Sequence, residues 1–154
     1  MRRGLKILLI FLALFAFMQF FQPESNSGET ASGNDITKVY PVPDEVLAIL
    51  KKSCYDCHSN STHYPWYTHI QPFGWWMNSH INEGKSELNF NEFGSYSARR
   101  KRSKVKAIVA SIKDGSMPLV SYTLIHRDAK LNHTEMNLII NWLRQIEEAS
   151  SQKH

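Results

Sequence analysis

The chain has little cysteine: two residues in 154, standing three positions apart as Cys54 and Cys57. Such a pair cannot staple distant parts of a fold, so a disulfide framework is excluded. Excess charge of one sign is also scarce. The formal +4 comes from 18 Lys and Arg against 14 Asp and Glu, and Arg2, Arg3 and Lys6 lie in an N-terminal segment without acids. The remainder is close to neutral, which argues against a nucleic-acid partner. Period-two alternation and internal repeats are both missing, so sheet and solenoid architectures drop out. At 42% hydrophobic and 12% aromatic, the chain still has the material for one small core.

The longest apolar run is Ile7 to Phe21, interrupted only by Gln19 and preceded by positive charge. It predicts a secretory signal peptide or signal anchor over residues 1–22. The run ends in Phe20-Phe21-Gln22-Pro23 rather than in small residues, which favours an uncleaved anchor. Residues 23–39 are rich in Ser, Gly, Asn, Glu and Thr and are expected to be a flexible linker. The folded domain is expected over 40–148, with a short tail at 149–154. Such a leader is expected to send the domain out of the cytoplasm, anchored in the membrane if uncleaved and free beyond it if removed.

Both cysteines fall within Cys54-Tyr55-Asp56-Cys57-His58, and C-x-x-C-H is the attachment pattern of a c-type haem. The spacing suits the chemistry, because one helical turn brings two thiols to one edge of a porphyrin while the next imidazole reaches the iron. A thioredoxin-like pair should instead open a helix after a strand. A closed zinc site needs four ligands, which only His63 or His69 could complete here. The prediction is one covalently attached haem c, with Cys54 and Cys57 as its thioethers and His58 as its first iron ligand.

The fold class expected is all-α, a small cytochrome c-like domain wrapped around one haem and preceded by the hydrophobic N-terminal helix. Val46, Leu47, Leu50 and Cys54 recur at helical spacing from Pro43 to about Cys57, so this helix should end on the haem motif. A second helix is predicted over Pro72 to Glu83 with Gly84 as its cap, and a short turn over Asn91 to Tyr96. A third carries Val105, Ile108, Val109 and Ile112 and stops at Gly115. The last begins with Asn132-x-x-Glu135, a capping-box variant.

A sixth iron ligand should come from the loop Gly115-Ser116-Met117-Pro118, where Met117 is free to cross a haem face. His80 and His126 are the alternatives, and either would give bis-histidine ligation. Tyr64, Trp66, Tyr67, Trp75 and Trp76 are expected to wall the haem, with Trp66 assigned to a propionate. The basic run from Arg99 to Lys106 reads as the solvated face of a helix, with docking of an acidic redox partner as the sharper alternative.

Taken together, Tyr55-Asp56, His58-Ser59-Asn60, Tyr64-Pro65-Trp66-Tyr67, Trp75-Trp76, Glu83-Gly84, Met117-Pro118 and His126-x-Asp128-Ala129-Lys130-Leu131 resemble the bacterial "haem-binding domain" family of C-x-x-C-H proteins. The resemblance spans about residues 40 to 145 and departs at Arg127, where proline would be expected. It implies an exported monohaem cytochrome, similar in plan to class I c-type cytochromes, whose redox partners are other cytochromes or dihaem peroxidases. The function expected is single-electron transfer through a His58/Met117 iron. The alternative is a haem enzyme component or a gas- or peroxide-binding protein with an open sixth site.

Overall fold

The computed structural model describes residues 2–28 and 33–151. Residue 1 of the expected leader, 29–32 of the expected linker and 152–154 of the expected tail lie outside the described residues. Among the described residues there is no strand, only an isolated bridge between Ser27 and Ser61, and the fold is all-helical. The helices are α1 (Arg2–Met18), α2 (Ile36–Val39), α3 (Asp44–Ser53), α4 (Tyr55–His58), α5 (Phe73–Glu87), α6 (Ala98–Asp114), α7 (Val120–Ile125) and α8 (His133–Ser151). Short 3-10 turns occupy Trp66–His69, Phe90–Ser95 and Arg127–Ala129.

Local chemistry accounts for the ends of the longer helices. Asp44 and Glu45 sit in the first turn of α3 and Lys51 and Lys52 in its last, complementing the helix dipole. The Ser97 side chain accepts from the Arg100 amide at the start of α6, and Gly115 ends that helix in the left-handed region at φ 74°. At α8 the capping box closes in both directions: the Glu135 amide donates to Asn132, and the Asn132 amide donates to the Glu135 carboxylate.

Three helices make the core. α3 and α6 each pack on α8, whose Ile139 and Leu143 are fully buried and contribute about 1.5–3 kcal/mol apiece. Lys52 of α3 pairs with Glu135 of α8, and the Trp142 indole donates to the Pro41 carbonyl at 3.0 Å. The ion pair holds the C-terminal end of α3, from which the haem motif departs, and the indole bond holds its entry, so the helix keeps a fixed place on the bundle.

The described parts of the polar segment before the domain, 23–28 and 33–39, make contacts with it. Ile36 is fully buried in the core. Asp35 caps α2 and also accepts from buried Asn91, joining the start of the domain to the turn that follows α5. Asn26 contacts Ser59, Thr62, Tyr64 and Lys85 through hydrogen bonds. α1 itself buries none of its side chains, and no helix among the described residues is long and apolar enough to cross a membrane.

Candidate functional site

The predicted single helix ending in the haem motif is two helices. α3 stops at Ser53, Cys54 takes φ −129° and ψ −38°, and the chain starts a new turn, α4. The Cys57 and His58 amides both return to the Cys54 carbonyl, at 3.2 and 2.9 Å. The break turns the motif off the axis of α3 and lays it against α5. At the crossing stands Gly84, which lies inside α5 and does not cap it as expected: a Cβ there would stand 2.7 Å from the Cys57 carbonyl oxygen.

This close approach positions the imidazole. His58 Nδ1 lies 3.0 Å from the Gly84 carbonyl and 3.0 Å from the Leu88 carbonyl at the end of α5. Carbonyls only accept, so Nδ1 carries the proton and donates, leaving Nε2 with its lone pair and no protein partner among the described residues. An imidazole oriented through its other nitrogen by a backbone carbonyl is the arrangement found at metal-ligating histidines. Phe90 supports the motif from beneath, with the Tyr55 ring stacked on it at 5.2 Å and His58 edge-on at 6.4 Å.

Asp56 links the motif to two other segments. Its carboxylate accepts from the His63 amide at 3.1 Å and from the Tyr122 hydroxyl at 2.6 Å. Burial and the Asp56 carboxylate hold the Tyr122 pKa far above its usual range, so the phenol stays a donor. Since Tyr122 belongs to α7, just after the methionine loop, the residue between the two cysteines reaches across to the opposite wall.

Between these walls lies a cleft of two adjoining compartments, about 240 and 260 Å³, bordered in common by Ser53, Cys54, His58, Glu87, Met117 and Pro118. The first also touches Cys57, Asp56, His80, Glu83 and Tyr122; the second reaches Phe90, Lys104, Ile108 and Leu131. Their combined size falls in the range of small-molecule and cofactor sites, and the lining is mostly apolar with a few polar groups. Ser53 Oγ is buried without a hydrogen-bond partner among the described residues, an orphan that a polar group in the cleft would satisfy.

Four of the five residues expected at the site, Cys54, Cys57, His58 and Met117, therefore border one cleft. Trp66 does not: it is 76% exposed, outside the cleft lining, and packs edge-on against Tyr67. Trp75 and Trp76 are partly exposed, and Trp76 and Tyr67 line a small recess that shares Cys57, His80, Leu119 and Tyr122 with the first compartment. His126 is held away from the cleft by the Tyr67 hydroxyl at 2.6 Å and by stacking on Tyr122 at 4.4 Å. His80 does border the cleft, with Nδ1 donating to the Trp76 carbonyl at 2.9 Å. Of the basic run, Lys104 reaches the cleft and pairs with Glu87 at 3.1 Å, Lys106 pairs with Glu147, and Arg100 lies over the Tyr96 ring. Glu83, already part of the family resemblance, borders the cleft; Ser53 and Glu87 also do, and nothing in their sequence context distinguishes them from ordinary helix residues.

Burial pushes the Cys54 thiol from 9.0 up to about 12, with Cys57 adding to it, and lifts Cys57 to about 11, aided by the Asp56 charge. In the polypeptide without haem, the fold thus keeps thiol protons that an unfolded chain loses. Their stabilising effect is complete below pH 9 and declines as pH rises towards the raised values. A two-unit rise cuts thiolate a hundredfold while basicity restores part of the reactivity, so alkylation at pH 8 should run about tenfold slower than in denaturant. Timed iodoacetamide labelling with and without urea measures this.

The fold and cleft define a class: a small helical domain with a mostly apolar cleft bordered by a thiol pair and an oriented imidazole. In agreement, a family model described as a haem-binding domain matches residues 13–145, and the chain belongs to that family. No curated protein and no solved structure matches it.

Proposed function

We propose that this haem-binding domain is an exported monohaem c-type cytochrome that passes single electrons through an iron held by His58 and Met117. The observation that carries the reading is the convergence of Cys54, Cys57, His58 and Met117 on one cleft, with the imidazole already fixed through Nδ1. Haem, when bound, supplies a one-electron iron couple. Cys54 and Cys57 would hold it through thioethers, His58 Nε2 would be its first ligand, and the soft Met117 sulfur its second. Tyr122 and Asp56 keep the two walls in register. Phe90, Ile108 and Leu131 exclude water from one compartment, which raises the energetic weight of every polar contact left inside. Exchange with other cytochromes or a dihaem peroxidase would take place at the cleft mouth, where Met117 is 38% exposed.

The N-terminal segment would carry the domain to the periplasmic face of the inner membrane. Export fits the motif, since thioether attachment of haem takes place on unfolded chains outside the cytoplasm. A second reading rests on His80, which shares the first compartment with His58 and Met117. If it supplied a distal base beside a displaceable methionine, the site would bind gas or peroxide.

Co-expression with haem-attachment machinery tests the main reading. The protein should retain its Soret band after acid-acetone extraction, and Cys54→Ser with Cys57→Ser together should release all haem to the solvent. Haem that extracts from the unaltered chain would refute covalent attachment. Slow or absent ferrous CO binding supports a closed sixth position, and rapid CO binding supports the gas- or peroxide-binding reading.

A further inference from the structure

The region between the motif and the end of α5 has an unusual surface. From Cys57 to Asn82 the sequence holds no Asp, Glu, Lys or Arg, yet it contains three of the four tryptophans. Trp66, Phe73, Trp75 and Trp76 are all exposed. Burying large rings is ordinarily favourable, so a neutral face that leaves them outside calls for an apolar or amphipathic partner.

This face is joined to the exit of α1 by a clasp of glutamines. Gln71 is fully buried. Its amide N–H donates to Gln19 Oε1 at 2.8 Å, its carbonyl accepts from Gln19 Nε2 at 3.3 Å, and its side-chain Nε2 donates to Gln22 Oε1 at 2.9 Å. Gln22 Nε2 donates to the His69 carbonyl at 3.1 Å, and the Trp75 indole to the Phe21 carbonyl at 2.7 Å. Gly74 keeps the station tight, because a Cβ there would clash with the Thr68 carbonyl. The bonds set Trp75 against Phe21 and tie Gln71 and His69, which stand between Trp66 and Phe73 in the chain, to Gln19 and Gln22, directly where the apolar helix ends; Phe20, Phe21, Trp66, Phe73 and Trp75 are all exposed.

Length decides what covers the patch. The apolar run from Ile7 to Phe21, bounded by Lys6 and Gln22, would span about 22 Å as helix, against a hydrocarbon layer of about 30 Å. Beyond Met18 the chain continues in i to i−3 bonds through Gln19, Phe20 and Phe21, and the clasp follows at once without slack. A helix this short, entering a bilayer, draws whatever is fixed to its end down to the surface. Uncharged surface rich in Trp is what the headgroup layer accepts.

We propose that Phe20, Phe21, Trp66, Phe73 and Trp75 form a lipid-interface seat, and that the Gln19/Gln22–Gln71 clasp holds the haem domain on it in one orientation. The seat rests on the anchored reading above. It commits the face to lipid, in preference to a second copy of the chain.

The test uses full-length holoprotein in phosphatidylcholine vesicles with a nitroxide at Phe73→Cys and a reference nitroxide at Ser103→Cys on α6. The ratio of oxygen to water-soluble nickel-chelate collisions should be several-fold higher at 73 than at 103. Adding Gln19→Ala and Gln22→Ala should bring the ratio at 73 down to the reference while the protein still floats with the vesicles. Equal ratios at 73 and 103 in floating protein would overturn the seat and leave the anchor standing. A ratio at 73 unmoved by the double substitution would overturn the clasp. Dipolar broadening between labels at 73 would assign the face to a second copy and overturn the lipid assignment. Failure to float would reject the anchor itself.

Discussion

Gly84→Ala is expected to lower the melting temperature of the holoprotein and to reduce the yield of attached haem, although alanine is the better helix former. Position 84 lies within α5, where propensity alone would favour alanine by about 1 kcal/mol. The added Cβ meets the Cys57 backbone at 2.7 Å, and a carbonyl in a one-turn helix cannot step aside without taking the motif along. Overpacking of this kind costs about 1–3 kcal/mol. Separating α4 from α5 also stretches the bond from His58 Nδ1 to the Gly84 carbonyl, for a further loss of about 0.5–1.5 kcal/mol. The steric and hydrogen-bond losses therefore exceed the gain. Calorimetry beside haem quantification checks it, and an unchanged or higher melting temperature would mean that the two helices have room to part.

Met117→Ala should leave the fold standing and alter the iron. Met117 is 38% exposed, so its truncation avoids most of the roughly 2–5 kcal/mol that a buried methionine would cost. A change in the spectrum then reports ligation and not unfolding. With the thioether gone, the sulfur-to-iron charge-transfer band should vanish, ferrous CO should bind readily, and the reduction potential should fall, because a soft sulfur stabilises the reduced iron. An unaltered spectrum would remove Met117 as ligand and direct attention to His80, which borders the same compartment.

Much of the scaffold was legible because its signals are local. The Gly115 stop of α6 and the reciprocal Asn132/Glu135 cap of α8 depend on residues within one turn of each other. The family and the haem were legible because five consecutive residues and several flanking pairs are jointly restrictive. What escaped was set by tertiary packing. Gly84 looks like a cap from its neighbours, yet it serves a crossing with a segment 27 positions earlier. The break at Cys54 interrupts an apolar periodicity that runs smoothly through it. The segment 35–39 has a linker's composition, but Asp35 finds Asn91 and Ile36 finds the core only once the chain has folded back. Aromatic richness alone does not say which rings meet the site: Trp76 and Tyr67 line a recess beside Cys57, whereas Trp66 is 76% exposed.

Asp56 alters how the pentapeptide itself can be used. Anyone grafting C-x-x-C-H into a designed bundle would treat the two middle positions as spacers and fill them for helix propensity. Here one of them is fastened to Tyr122, on the wall that carries the methionine loop, and the other rests on Phe90. A portable version of this module would need seven residues drawn from three stretches of chain, and a graft of the pentapeptide alone would leave the far wall unregistered.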